Sequence, residues 1–281
     1  MSEFVCVNSR KYAGREEMKA TGGAFFVSFL VSGTRDRIFL NTSLGCDCRC
    51  QYCYLADVGI TGVERFCHQQ VFDELINLPC FEPGAGGSVL SIGCYSECFS
   101  PENRQETVSL IKKIAPLGNH IQLATKKRIE IGDLMELDRH AQYKNQIGIF
   151  ISVPTLSQSS IIEIGTDDAR ERLEVLEYQH LFHNLYFVMY IKPVLPGITR
   201  NDISEYCQIL QDYRVKCVVG GLLHPQPNKQ SDTTLVGQSW FLETNEDQSY
   251  IMDSLHPYTA VYRHSVDIIK EYIEEEGNCN D

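Results

Sequence analysis

Cys46, Cys50 and Cys53 stand in the spacing C-x3-C-x2-C, within the run Asn41-Thr-Ser-Leu-Gly-Cys-Asp-Cys-Arg-Cys-Gln-Tyr-Cys-Tyr-Leu55. Three thiolates this close on one loop can share only a compact centre, and cysteine thiolates are the usual ligands of iron–sulfur clusters. A [4Fe-4S] cube takes four ligands, so three thiolates leave one iron open for a substrate or cofactor. Structural zinc is a competing use of the same residues. It wants four nitrogen or sulfur ligands, usually as two separated C-x2-C pairs. Cys48 offers a fourth thiolate, but Cys46-x-Cys48-x-Cys50 is too tight for a zinc knuckle, and no second C-x2-C or C-x2-H pair occurs in the chain. Disulfides are a third use. The spacing favours the cluster, with Cys48 as the surplus cysteine.

Other chemistry finds less support. Glu177-x-x-His180 has the spacing of a di-iron ligand pair, but such a site needs a second pair and two further glutamates. His68, His120, His180 and His183 therefore read as structural or solvent-facing. No G-x-x-x-x-G-K-[ST] loop is present, so nucleotide hydrolysis has no carrier. With 25 Lys and Arg against 37 Asp and Glu, the net charge of −12 repels polyanions, and long duplex DNA is disfavoured as a substrate. Lys126-Lys-Arg128 is the one clear basic run. Residues 1–20 carry no apolar core of a signal peptide, and no apolar run of about 18 residues marks a membrane span. Twelve cysteines in such a chain read as reduced thiols, which points to the cytosol.

The elements that must position these residues follow from hydrophobic periodicity. From residue 37 onward, short apolar β-branched runs alternate with longer amphipathic stretches. The runs predict strands over Ile38–Ser43, Ser88–Ile92, His120–Thr125, Ile147–Val153, Leu185–Ile191 and Val215–Val219. Helices are predicted near 64–77, 101–115, 131–141, 167–182 and 200–213, with early acids at Asp167-Asp-Ala-Arg-Glu and Asn201-Asp-Ile-Ser-Glu marking two starts. Six strands alternating with helices imply parallel β/α units. The expected fold class is α/β, an open partial (β/α)6 barrel with N- and C-terminal extensions, and a doubly wound sheet is the alternative. In a barrel the site is built at the strands' C-terminal ends, where the cysteine loop falls. The expected division is 1–36 as an N-terminal extension, 37–221 as the barrel, and 222–281 as a C-terminal extension covering the substrate. Residues 22–33 suggest an extra strand ending in a turn, residues 222–248 a polar loop, and residues 258–276 a helix.

The cysteine motif resembles that of the radical S-adenosylmethionine (SAM) superfamily. The longer form Cys46-x3-Cys50-x-Tyr52-Cys53-Tyr54-Leu55 is similar to the spore photoproduct lyase-like branch. Three further stretches agree in order: Ser91-Ile-Gly-Cys-Tyr-Ser-Glu97, Ala124-Thr-Lys-Lys127, and Glu163-Ile-Gly-Thr-Asp-Asp-Ala-Arg-Glu-Arg-Leu-Glu174 followed by Lys192-Pro-Val-Leu-Pro-Gly197. The resemblance spans roughly residues 37–215 and implies an open partial barrel. It also implies that Cys46, Cys50 and Cys53 hold a [4Fe-4S] cluster whose open iron takes SAM. Reductive cleavage of SAM would then give a 5′-deoxyadenosyl radical that abstracts hydrogen from a substrate.

The same resemblance assigns individual residues. Tyr52, Ser96, Glu97, Lys126 and Ser152 occupy cofactor-binding places, with Lys127 a rival of Lys126 for the cofactor carboxylate. For Ser152, capping of the following loop is an equally simple use. Cys94 matches a cysteine that returns hydrogen to the substrate radical, with Cys98 as its rival and burial as a small hydrophobe the plain alternative. Tyr54 is placed to relay hydrogen or to pack beneath the cluster. The implied partners are an electron donor such as flavodoxin or ferredoxin, and a small-molecule, nucleotide or peptide substrate. A radical methyl- or methylthiotransferase, a peptide modifier, and a non-catalytic cluster- or zinc-binding regulator are the competing functions.

Overall fold

The computed structural model describes residues 25–26, 30–225, 233–235, 238–243 and 245–277. Cys279 and most of residues 1–29 lie outside the described residues. A nine-stranded sheet organises the chain. Its N-terminal strands are β1 (Phe25–Phe26), β2 (Val31–Thr34) and β3 (Arg37–Leu40), with β2 antiparallel to both neighbours. Two short strands, β4 (Ser43–Leu44) and β5 (Arg49–Cys50), and then β6 (Glu64–Arg65) follow in the cysteine region. The parallel part continues with β7 (Val89–Ile92), β8 (Ile121–Thr125) and β9 (Ile147–Ser152). After β10 (Glu163–Ile164), which belongs to the cysteine region, come β11 (Leu185–Ile191) and β12 (Lys216–Val219).

The helices are α1 (His68–Ile76), α2 (Arg104–Ile114), α3 (Ile131–His140), α4 (Ser159–Ile162), α5 (Ala169–Leu173) and α6 (Ile203–Tyr213). Each predicted strand and helix up to residue 219 is present within a few residues of its expected span. Two ends tighten: the segment after α5 runs as a 3-10 helix over Glu174–Leu181, and another, Thr199–Asp202, precedes α6. The acids at 167–168 do start a helix, since the Asp168 carboxylate accepts from the Arg170 amide at 2.9 Å.

Strand order decides between the two architectures. From β3 the strands lie side by side in chain order: β3, β7, β8, β9, β11, β12. A doubly wound sheet reverses direction at a switch point. Here there is no reversal, and right-handed crossovers therefore carry every connecting helix to one face of the sheet. The other face curls into a concave wall, and β1 and the last strand remain as open edges. The fold is an open α/β partial barrel.

The C-terminal part departs from expectation. Within 222–248, expected as a loop, β13 (Leu222–Pro225), β14 (Thr233–Leu235) and β15 (Gln238–Glu243) form a small antiparallel sheet. The overlooked signal is the two-residue step Val236-Gly237 between β14 and β15, a hairpin spacing with glycine. After α7 (Glu246–Leu255), the predicted helix over 258–276 also proves wrong at its start. Val261–Tyr262 is β16, parallel to β12 at the sheet edge, and α8 begins only at Ser265 and runs to Gly277. A β-branched and an aromatic residue beside an unpaired edge strand pair with it sooner than they join a helix.

Helix α8 crosses the concave face, where Ile268 packs with Phe150, Tyr186, Val188 and Val218, and Tyr272 adds its ring against Tyr186. No helix among the described residues is long and apolar enough to cross a membrane.

His120 precedes β8 with 1% of its surface exposed. Burial pushes its pKa down to about 4, from about 6.5 in an unfolded chain. The protonated form is the one the fold excludes. Stability is therefore untouched above about pH 6.5, falls as the pH drops, and is fully reduced below about 4. The loss is about 2 kcal/mol at pH 5. His120→Phe should flatten the pH dependence by that amount in urea titrations at pH 7.5 and 5. Parallel pH profiles for the two proteins would refute it.

Candidate active site

The cysteine loop is fixed from two sides. Gly45, at φ +84°, turns the chain so closely that a Cβ there would lie 1.8 Å from the Gly62 carbonyl oxygen. Its amide donates to the Tyr95 carbonyl at 2.9 Å, tying the loop to the segment after β7. On the other side β5 pairs antiparallel with β10, Cys50 opposite Glu163. The cysteine motif is thereby joined to the distant stretch 163–174.

A buried ion pair holds that junction. Arg172 and Glu163 meet at 2.9 Å with both side chains fully excluded from solvent. Arg172 also donates to the carbonyls of Ser152 at 2.7 Å and Asp167 at 2.7 Å, and to the Thr166 hydroxyl at 2.6 Å. Glu163 accepts a short hydrogen bond from the Tyr52 hydroxyl. The pair thus links the cysteine loop, the end of β9 and the segment before α5. The sequence reading matched Glu163 and Arg172 only as part of a motif and gave neither a role.

Cys46, Cys50, Cys53, Cys94, Lys126 and Ser152 line one cavity of about 550 Å3 at the strands' C-terminal ends. The three motif cysteines are partly exposed to it and free of disulfides. The Cys46 thiol is held below its usual range by the hydrogen bond with Cys48 and by the charge of Lys126, against the effect of burial. Burial pushes Cys50 up to about 11 and Cys53 upward as well. Cys48 differs: its thiol donates to the Gly165 carbonyl at 3.3 Å, and it is 8% exposed. Its hydrogen bond to Cys46 and its burial keep it protonated. All four thiols line the cavity; the Cys48 thiol is hydrogen-bonded to a backbone carbonyl, and the other three are soft donors suited to a metal cluster.

The rivals for the other roles separate in space. Lys126 Nζ donates to Ser152 Oγ at 2.8 Å and sits 5.7 Å from the centre of the Tyr52 ring. Lys127 turns away to pair with Asp167 at 2.9 Å, and Arg128 pairs with Glu174 at 3.4 Å. The basic run is therefore mostly structural. Ser152 caps no loop; its hydroxyl accepts from Lys126 and donates to the Lys192 carbonyl at 3.4 Å. Glu97, 6% exposed, borders the cavity but spends its carboxylate on the amides of Phe99 at 3.1 Å and Lys126 at 2.8 Å, and on Thr125 Oγ1. It brackets the ends of β7 and β8. Ser96 is partly exposed on the same wall.

Cys94 follows Gly93, which is at φ +90° and where a Cβ would lie 2.4 Å from the Ala124 carbonyl oxygen. This turn delivers Cys94 to the cavity. Burial raises its pKa, so the sulfur keeps its hydrogen, while the charges of Arg37 and Lys192 act in the opposite direction. Cys98 is fully buried, its thiol donates to the Ala124 carbonyl at 3.2 Å, and it does not line the cavity. The Tyr54 hydroxyl donates a short hydrogen bond to the Cys94 carbonyl. One grouping escaped the sequence reading: Cys67, His68 and Glu106 lie together, where Glu106 accepts from the His68 amide and ring nitrogen, each at 2.7 Å.

The fold is shared with solved structures. Spore photoproduct lyase complexed with dinucleoside spore photoproduct superposes with a TM-score of 0.54 at 15% identity, over 78% of this chain and 74% of that one. A variant of that lyase with AdoMet and the dinucleoside bound gives 0.58 at 13% identity, over 81% and 76%. SuiB of Streptococcus suis bound to S-adenosylmethionine gives 0.53 at 12%, over 82% of this chain and 51% of SuiB. The open barrel implied by the cysteine motif is thus the fold adopted. No family model and no curated protein sequence matches the chain.

Proposed function

We propose that the chain is a radical SAM enzyme related in type to spore photoproduct lyase, with lyase-like or C–H-modifying chemistry. The observation that carries this is the convergence of Cys46, Cys50, Cys53, Lys126 and Cys94 on one cavity. Cys46, Cys50 and Cys53 hold a [4Fe-4S] cluster. Lys126 and Ser152 bind SAM, with the Lys126 ammonium against its carboxylate, and Tyr52, Ser96 and Glu97 shape the same wall. The bound cluster and SAM supply reductive carbon–sulfur cleavage and hydrogen abstraction. The chain's own part is to orient the reactants and exclude water. Tyr54, through its bond to the Cys94 backbone, positions the cysteine. The electron donor is a flavodoxin- or ferredoxin-like protein, and the working compartment is the cytosol. Anaerobically reconstituted protein given SAM and dithionite should form 5′-deoxyadenosine. Its absence would leave a non-catalytic metal protein.

Cys94 is proposed to return a hydrogen atom to the substrate radical: its S–H bond breaks, a substrate C–H bond forms, and a thiyl radical remains on sulfur. Cys94→Ala should still form 5′-deoxyadenosine while the substrate yields trapped or aberrant products, read by mass spectrometry. A packing cysteine would show only a small stability loss. An unchanged product distribution would remove Cys94 from the mechanism.

A further inference from the structure

The cavity that holds the cysteines and Cys94 is also lined by cations that the functions assigned above leave unused. Arg37, the first residue of β3, lines it and is partly buried. Its Nε donates to Ser91 Oγ at 2.8 Å and its Nη2 to Gln122 Oε1 at 2.8 Å, and the guanidinium lies 4.9 Å from the Phe39 ring centre. All three partners are uncharged. Gln122 is itself held, since its Oε1 also accepts from Ser265 Oγ, at the start of α8, at 3.2 Å. A guanidinium has five N–H donors, so the remaining ones are oriented in advance without being paired to a carboxylate.

Lys192 extends from the end of β11 onto the same wall. Gly220 gives its stem room, because a Cβ there would lie 2.8 Å from the lysine's Cδ. Its ammonium lies 5.9 Å from the Tyr190 ring centre. Lys270 of α8 stands exposed at the cavity rim. Among the described residues, none of these three cations has a carboxylate within ion-pair distance. Two acids line the cavity, Asp267 and Glu97; the Glu97 carboxylate is taken up by the amides of Phe99 and Lys126 and by Thr125 Oγ1. Arg65, Arg104 and Arg170, by contrast, each pair with a carboxylate.

A partly buried guanidinium with only neutral neighbours is poorly compensated, because leaving water is costly for an ion that gains no counter-charge. The structure that best balances it has an anion in the cavity. Arg37, Lys192 and Cys94 line the same cavity, so an anion held by the two cations shares that cavity with the proposed hydrogen donor.

We infer that Arg37 and Lys192 form an anion subsite that grips a carboxylate or phosphate of the substrate and presents the neighbouring carbon to Cys94. The substrate class is therefore a compact anionic molecule, consistent with a net charge of −12 that turns long polyanions away. This inference rests on the radical SAM reading for its orientation toward Cys94, whereas the anion subsite itself needs only the fold.

The test uses the full chain, reconstituted with its cluster and saturated with SAM, at low ionic strength where charge pairing is least screened. Inorganic phosphate and glutarate are titrated separately by calorimetry. Saturable binding of either, without displacement of SAM, is expected; phosphate alone assigns a phosphoryl group and glutarate alone a carboxylate. Arg37→Gln and Lys192→Gln should each weaken that binding about tenfold, the loss typical of a charge-assisted contact. Asp267→Asn should tighten it about twofold, a gain that misfolding cannot produce. Binding of neither anion, or no response to all three substitutions, overturns the inference. If the parent protein forms 5′-deoxyadenosine yet binds no anion, the subsite fails alone. If it binds the anion but never cleaves SAM, the radical reading fails and the subsite stands.

Discussion

Cys50→Ala is expected to lose the brown cluster chromophore and 5′-deoxyadenosine formation together, both to background. In the proposed site each motif thiolate would supply one corner of a cube with only three protein ligands, and neither water nor alanine replaces a soft sulfur donor. Cys46→Ala and Cys53→Ala should behave alike. Cys48→Ala is the internal control. Its thiol is spent on the Gly165 carbonyl, so the variant should keep its chromophore and its turnover. Iron and sulfide content, the electron paramagnetic resonance of the reduced protein and product chromatography measure these outcomes. Turnover in Cys50→Ala, or loss of the cluster in Cys48→Ala alone, would overturn the ligand assignment.

Arg172→Met should destabilise the fold by about 3–5 kcal/mol, because it strands the Glu163 carboxylate in a fully buried site. A loss of that size is a large fraction of the roughly 5–15 kcal/mol that holds a domain together. The same change frees the Ser152 and Asp167 carbonyls and removes the charge partner of the carboxylate that accepts from Tyr52. The double variant Arg172→Met/Glu163→Leu should recover much of the stability, since the pair costs desolvation on both sides. It should not recover the positioning of Tyr52, so SAM affinity should remain reduced. Urea denaturation and equilibrium binding of SAM give the two readouts. A single-variant loss below about 1 kcal/mol would mean that water reaches the pair and that it does not brace the loop.

The chemistry-bearing part of this protein was unusually local in the chain. Cys46, Cys50 and Cys53 are separated by a few residues, so their spacing alone limits what they can bind. The strands from β3 to β12 were equally legible because both faces of a parallel sheet are covered, which leaves near-continuous runs such as Leu185–Ile191. Where burial did not impose a pattern, the sequence misled. The short strands β13–β16 depend on a partner strand for their existence, and Val261–Tyr262 has no local reason to leave a helical stretch until β12 lies beside it.

The sequence by itself determined the strand order up to residue 219 and the side of the sheet on which the cysteines fall. Those properties follow from local periodicity and short spacings, which are properties of the chain. Only the tertiary structure shows what Lys126 and Lys127, and Cys94 and Cys98, each touch, and that the Ser152 hydroxyl is bonded to Lys126. Neighbouring residues in sequence differ there by direction alone, and direction is set by what each side chain meets: Asp167 for Lys127, Ala124 for Cys98, Ser152 for Lys126. The pairing of Glu163 with Arg172 and the gathering of Arg37, Lys192 and Lys270 around one cavity likewise join residues far apart in the chain. Such contacts come from the curvature of the sheet and the crossing of α8, and no spacing in the sequence records them.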